Sequence, residues 1–192
     1  MDRKKTLAIA IAAVLTAAVW AMGAVPGEAA THARANLVDT NGNPAGSVTF
    51  QAIGGHTIVD ARIRIPREFE GFHGFHVHTK GVCDKNAVDD TGKPSPFFTA
   101  GGHYSATPQG HSSHDGDMPS VMILGDGTAR MTFRTDRLAI SELRDADGSA
   151  VIVHVGRDNY ANIPPRYAPN GPDEATQRTG DAGARLLCGI VR

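Results

Sequence analysis

The sequence predicts an all-β fold: an antiparallel, eight-stranded Greek-key sandwich or flattened barrel that carries two long functional loops. Three observations support this fold class. Short segments alternate apolar and polar residues with a period of two, turns marked by glycine and proline separate them, and helical periodicity is nearly absent. With 192 residues, of which 41% are hydrophobic, the chain can form one medium-sized domain with a real core.

The alternating segments follow one another along most of the chain. They cover residues 35–39, 47–53, 58–65, 72–78, 120–124, 129–133, 150–155 and 185–191. Residues 41–44 (NGNP) predict a turn between the first two strands, and residues 125–127 (GDG) predict a hairpin turn. Only residues 141–144 indicate a short helical turn.

Two stretches, residues 79–119 and 156–184, break the strand pattern. Both are rich in glycine, proline and polar residues, and both are longer than ordinary connections, which is typical of functional loops. We expect a metal, a disulfide or both to order them.

The first 33 residues are typical of an export segment, either a cleaved signal peptide or a retained N-terminal anchor. Basic residues at positions 3–5 precede an apolar run over 7–25, and a Pro-Gly pair at 26–27 ends that run. The folded domain is therefore expected at 34–192. The chain is predicted to be exported, that is, secreted, periplasmic or associated with the cell envelope.

Cys83 and Cys188 are the two cysteines of the chain, so no cysteine near the export segment could carry a lipid anchor. Exported proteins fold in oxidising compartments, where a pair of cysteines favours one disulfide. Such a bridge would close a loop of about 100 residues. Two free buried thiols are the alternative at this point.

The charge balance restricts the classes of partner. A formal net charge of −1 and an aromatic content of 6% give no indication of a nucleic-acid partner or of a general binder of anionic membranes. Chemistry is indicated instead by histidine, because six of the nine histidines lie between positions 73 and 114.

Four histidines in three segments are candidate metal ligands. His76 and His78 are two residues apart on a predicted strand, so their imidazoles point to the same side and can reach one ion, copper or zinc. His103 follows two glycines that let the backbone bend closely around a ligand. His154 lies in an otherwise apolar strand, where a buried imidazole needs a hydrogen bond or a metal.

A second ligand set is predicted in the first long loop. Residues 111–117 (HSSHDGD) contain His111, His114 and Asp117, and His103 lies eight residues before His111. Three nitrogens and one oxygen form a closed tetrahedral zinc set, which is typical of a structural site. The alternative is a polar loop that happens to be rich in histidine.

Four motifs in sequence order resemble the successive signatures of the Cu/Zn superoxide dismutase family, of the bacterial, exported type with a shortened zinc loop. They are residues 71–78 (GFHGFHVH), 101–104 (GGHY), 151–154 (VIVH) and 180–189 (GDAGARLLCG). The resemblance extends over residues 35–192, so it implies that 34–192 form a superoxide dismutase domain with that family's sandwich fold.

The resemblance implies roles for individual residues. His76, His78, His103 and His154 resemble the copper ligands, with His103 bridging to zinc, and His111, His114 and Asp117 resemble the remaining zinc ligands. Asp158 matches a carboxylate that links the two ligand sets, and His73 matches a structural histidine. Arg185 matches the arginine near copper, Thr179 a threonine of the access channel, and Arg178, more loosely, a guiding charge. Cys83 and Cys188 match the family disulfide.

The implied function is superoxide dismutase activity, which converts superoxide to dioxygen and hydrogen peroxide by one-electron cycling of a histidine-bound copper. Arg185 and His103 would be the catalytic residues, copper and zinc the cofactors, and superoxide the small-molecule substrate. An exported copper-binding or copper-delivery protein with the same fold is the alternative, and a homodimer stays open. Only Ser112 and Ser113 separate His111 from His114, which is shorter than in the family, so a copper-only enzyme also stays open.

Overall fold

A computed structural model describes residues 30–192, and the predicted export segment lies outside these residues except at its end. The fold class is confirmed: the chain forms a curled, antiparallel sheet with few helices. The strands are β1 (His32–Asp39), β2 (Pro44–Ile53), β3 (His56–Arg64), β4 (Gly71–His73), β5 (Phe75–His78), β6 (Val121–Ile123), β7 (Thr128–Thr135), β8 (Ala150–His154) and β9 (Arg185–Ile190). Strand β1 begins two residues before the predicted start of the domain at 34.

Seven strands form one antiparallel sheet in the order β5-β8-β9-β1-β2-β3-β7, and β4 pairs with β6 in a second, two-stranded sheet. Side chains alternate between the core and the solvent along β1 and β3, as the period of two predicts. Phe50, Phe75 and Leu187 are among the fully buried side chains of the core. The predicted hairpin turn at 125–127 connects β6 to β7, where Leu124 N donates to Thr128 O.

The prediction of one strand over residues 72–78 is wrong. Gly74 divides this segment into β4, which pairs with β6, and β5, which pairs with β8. A Cβ at Gly74 would lie 2.6 Å from Ala182 Cβ, so only glycine allows the second long loop to pack this closely. The split explains why nine strands are observed instead of eight.

Helical structure is confined to short pieces. Two 3₁₀ turns cover Arg67–Phe69 and Phe98–Ala100, and helix α1 covers Ile140–Leu143, one residue before the predicted helical turn. Helix α2 (Glu174–Thr179) lies in the second long loop and was not predicted, although Asp173 caps its first turn and Gly180 ends it. No helix within residues 30–192 is long and apolar enough to cross a membrane.

The first long loop folds back onto β5. Isolated bridges pair His78 with His103 and His76 with Asp117. The second long loop packs against the first, because His111 N donates to Gln177 O of α2 (2.7 Å). Both loops therefore meet over the β5 end of the large sheet, where the histidines are.

Candidate metal centre

Strand β5 supplies the first two histidines of a buried cluster. His76 and His78 occupy alternate positions on β5, His103 lies beside His78 in the first long loop, and His154 ends the neighbouring strand β8. One ring nitrogen from each of the four histidines lies within 4.8 Å of the other three. The structure thus brings together the four residues that the sequence predicts as copper ligands.

The other nitrogen of each ring is held by an oxygen, which fixes the ring's orientation. The contacts are His76 Nε2 to Asp158 Oδ2 (2.7 Å), His78 Nδ1 to Gly101 O (2.8 Å), His103 Nδ1 to Asp117 Oδ1 (2.8 Å) and His154 Nδ1 to Gly183 O (3.0 Å). A neutral imidazole that donates from one nitrogen presents a lone pair at the other. All four rings therefore direct a lone pair into the same small volume.

The inward-pointing nitrogens lack suitable protein partners. Among the described residues, His76 Nδ1 and His103 Nε2 are buried without a hydrogen bond. His78 Nε2 and His154 Nε2 lie 3.4 Å apart, where two lone pairs repel each other. Buried polar atoms of this kind are costly unless something satisfies them, and a cation bound between the rings would do so. The donor set fits copper, which imidazole nitrogens bind well.

Asp117 is the centre of a second cluster next to the first. Its carboxylate accepts a hydrogen bond from His103 and lies 3.0 Å from His111 Nδ1 and 3.1 Å from His114 Nδ1. Neither of the last two nitrogens has hydrogen-bond geometry to a partner within residues 30–192, although both are buried. Donor atoms of His103, His111 and Asp117 group with His76 within 4.8 Å, whereas His114 lies outside that group.

Asp158 connects the two clusters. Its Oδ2 accepts from His76 Nε2 and its Oδ1 accepts from His111 Nε2, both at 2.7 Å, while Tyr160 N also donates to Oδ1. The Asp158 side chain is 1% exposed, so water does not weaken these contacts. Gly180 packs directly against the bridge, because a Cβ there would overlap both Asp158 Oδ1 and His111 Nε2.

Burial and the carboxylates set the protonation of the rings in opposite directions. Burial lowers the pKa of His103 to about 4 and that of His154 to about 3, and it holds the pKa of His78 well below its usual range. These rings are neutral at pH 7, which is the form that binds a metal. Burial also acts to lower the pKa of His111, but the carboxylates of Asp117 and Asp158 beside its ring outweigh burial and raise that pKa to about 9. Burial acts to raise the pKa values of both carboxyls, but the histidines around them hold these values below the usual range.

A cleft of about 600 Å³ gives access to the first cluster. It is lined by His78, His103, His154, Arg178, Thr179 and Arg185, among other residues. The Arg185 guanidinium donates to Phe97 O and Gly101 O and lies 5.5 Å from the centre of the Phe98 ring. Burial lowers the pKa of Arg185 to about 10, so the side chain is still a cation at neutral pH. A fixed positive charge therefore lies at the wall of the cleft.

A disulfide joins Cys83 of the first long loop to Cys188 of β9, with a sequence separation of 105 and a Cα–Cα distance of 5.7 Å. The predicted pairing is confirmed, and the described residues contain no free cysteine. The bridge fixes the start of the loop that carries His103 to the strand that carries Arg185.

Sequence reasoning missed the backbone groups that complete the centre. The carbonyls of Phe97, Gly101 and Gly183 hold Arg185 and two of the rings, but a carbonyl has no sequence signature. Gly180 could have been found as the residue that ends a capped helix. His73 lies outside both clusters, since its two ring nitrogens each lie 2.8 Å from a backbone oxygen, of His154 and Phe69.

Buried imidazoles around one volume, joined through a carboxylate to a second ligand cluster, define a metalloprotein with two adjacent metal sites. The family model for copper/zinc superoxide dismutase (SODC) matches residues 44–191, and the chain belongs to this family. Copper and zinc are the metals of the family, and the two clusters suit them in ligand type.

Relatives and a solved structure agree with this assignment. A superoxide dismutase [Cu-Zn] of Mycobacterium tuberculosis is 38% identical over 162 residues, which are 81% of this chain and 68% of the relative. A superoxide dismutase [Cu-Zn] 1 of Salmonella typhimurium is 36% identical over 129 residues, which are 63% of this chain and 63% of the relative. The Cu/Zn superoxide dismutase from Brucella abortus superposes with a TM-score of 0.66 at 26% identity, over 84% of this chain and 99% of that chain.

Proposed function

We propose that this chain is a copper-dependent superoxide dismutase in which His76, His78, His103 and His154 bind copper. The observation that carries the proposal is the convergence of four oriented imidazoles whose inward nitrogens have no suitable protein partner. These four histidines would hold copper, which would supply the one-electron redox chemistry by which two superoxide ions and two protons become dioxygen and hydrogen peroxide. The reaction needs no other oxidant or reductant.

Arg185 acts on the substrate through its charge. Superoxide is a small anion, and a half-buried guanidinium attracts it more strongly than a fully exposed one because fewer water molecules screen the charge. Hydrogen bonds to Phe97 O and Gly101 O hold the guanidinium at the wall of the cleft beside His78 and His103. The remaining guanidinium protons can bind and orient the anion.

His103 is placed to carry a proton. Its Nδ1 faces Asp117 and the second cluster, while its Nε2 faces the first cluster and the cleft. Because burial disfavours the charged ring, a proton held at Nε2 is released readily to a reduced oxygen species nearby. Asp117 keeps the ring in one orientation while the proton moves.

The second cluster is proposed as a zinc site of His103, His111 and Asp117, with His114 as the fourth ligand. His114 Nδ1 already lies 3.1 Å from Asp117 Oδ2, so a small movement of the short loop would bring it to an ion. Zinc does not change its oxidation state, so its role there is to order the loop and to orient His103.

The copper-delivery alternative is not favoured. A delivery protein needs the four imidazoles, but it has no use for a half-buried cation fixed at the wall of the cleft that leads to them. The fixed position of Arg185 beside the cleft is accounted for if the site turns over an anion.

The proposal is tested by removing one ligand. His154→Ala should lose copper and dismutase activity together, whereas the matched control His32→Ala, on an exposed histidine of β1, should keep both. Copper content is measured per chain, and activity is measured with copper alone and with copper plus zinc. Full activity of His154→Ala would refute the ligand assignment, and copper binding without activity in the parent protein would favour the delivery function.

We also propose export to an oxidising compartment, because the Cys83–Cys188 disulfide requires one. Cell fractionation should find the protein outside the cytoplasm, with both cysteines joined in the disulfide. A cytoplasmic protein with free thiols would contradict this.

We also propose that the protein forms a homodimer through the outer face of β4 and β6. Phe72 and Met122 are cross-strand neighbours there and are 51% and 38% exposed, and Tyr160 is exposed as well. Sedimentation should show a dimer that Phe72→Asp converts to a monomer. A monomeric parent protein at micromolar concentration would exclude it.

A further inference from the structure

The fold concentrates arginine on one surface of a chain whose net charge is −1. We call this surface the basic face: the outward residues of β1, β2, β3 and β7. Its arginines are Arg34, Arg62, Arg64, Arg130 and Arg134, and all five are exposed.

The strand register shows that these arginines share one side of the sheet. Arg62 of β3 pairs with Arg130 of β7. Arg34 of β1 pairs with Thr49, which pairs with Asp60, which in turn pairs with Thr132, so these four residues form one line across the sheet. Residues that pair directly across antiparallel strands point to the same side, and so do residues two apart. The arginines therefore form one patch, four strands wide.

Few negative charges balance the basic face. Asp60 is the single acidic residue among its outward positions on the described strands, and it pairs with Arg62 at 2.8 Å. Asp126 lies in the turn at its edge, before β7. Because the chain as a whole has a slight negative charge, the rest of the molecule is more acidic than the sequence total suggests. The protein is thus electrically polarised.

We propose that the basic face binds the surface of an anionic phospholipid membrane. Arginine forms paired hydrogen bonds to phosphate, which makes it better suited to lipid headgroups than lysine. A face four strands wide suits a surface rather than a single polymer strand. Ile53, at the end of β2, is the exposed large apolar side chain among its outward positions on the described strands, so binding is mainly electrostatic and reversible.

The sheet topology keeps the metal cleft accessible in this orientation. Strands β1, β2, β3 and β7 carry the basic face, whereas the cleft lies among β5, β8 and β9, on the other side of β1 in the strand order.

The test uses the full chain with vesicles of phosphatidylcholine alone or with phosphatidylglycerol added, separated by sedimentation. Binding should require phosphatidylglycerol and should fall steeply between low salt and 0.5 M salt. The double variant Arg62→Gln/Arg130→Gln should weaken binding about 25-fold, at roughly fivefold for each charge. Dismutase activity in solution should not change.

The matched control is Arg144→Gln/Arg166→Gln, which removes two exposed arginines that lie off the basic face. It should bind as the parent protein does. Equal weakening in both double variants would overturn the proposal, because net charge alone would then explain binding. Equal binding to both kinds of vesicle, or no binding at low salt, would overturn it as well.

Discussion

Gly180 allows the two clusters of candidate metal ligands to share the carboxylate of Asp158. It ends α2 in the left-handed conformation, with φ +57°, and lies against the Asp158 bridge. A Cβ at this position would lie 2.6 Å from His111 Cδ2 and closer still to His111 Nε2 and Asp158 Oδ1. Gly180→Ala should therefore displace the carboxylate that orients His76 and His111.

The expected effect has two parts. A non-glycine residue in the left-handed region costs about 1–2 kcal/mol of folding free energy wherever it occurs. Loss of a partner that orients metal ligands lowers metal affinity by about 10–100-fold. For Gly180→Ala we expect both effects, with the larger loss at the second cluster, because His111 has contacts to both Asp158 and Gly180.

The control variant Gly54→Ala separates the backbone cost from the loss of metal affinity. Gly54 has φ +58°, almost the same as Gly180, but a Cβ there would meet no atom within 4 Å. The control should therefore lose stability by the backbone cost alone and should bind zinc as the parent protein does. Zinc affinity is measured by competition with a chromophoric chelator, and stability by urea unfolding of the metal-free protein. Equal zinc affinity in both variants would refute the positioning role of Gly180.

Three further predictions follow from the geometry of the centre. Arg185→Glu should keep its copper but lose at least about tenfold in rate at low ionic strength, and added salt should reduce the difference; an unchanged rate at low salt would argue against attraction of the substrate by this residue. The double variant Cys83→Ser/Cys188→Ser should lose up to about 4–5 kcal/mol of unfolding free energy, because the bridge closes a loop of 105 residues; a loss below 1 kcal/mol in urea unfolding would contradict this. Zinc binding to the metal-free protein at pH 7 should release about one proton, because the pKa of His111 is raised to about 9 and its ring must lose a proton to bind zinc. Zinc affinity should therefore rise with pH until about pH 9, and a dye-indicator titration that detects no proton would refute the protonation assigned to His111.

The strands and the histidine cluster were largely predictable because they depend on local periodicity. Alternation along β1 and β3 indicated which side faces the core, and the spacing of His76 and His78 placed both rings on one side. His154 was recognisable because a histidine in an apolar strand needs a partner. These signals use only a few neighbouring residues, so a single sequence contains them.

The remaining features depend on contacts between segments far apart in sequence. Gly74 could be read as an ordinary strand residue, and only its packing against Ala182 shows why the strand divides there. The carbonyls of Phe97 and Gly101 hold Arg185 over a separation of more than 80 residues. The charge pattern of the basic face was hidden by the net charge, because the strand register, not the composition, brings the arginines together.

X-ray absorption at the copper edge tests the central claim most directly. On the parent protein loaded with one copper per chain, a coordination shell of four imidazole nitrogens is expected. A shell with fewer than three imidazoles would contradict the ligand assignment.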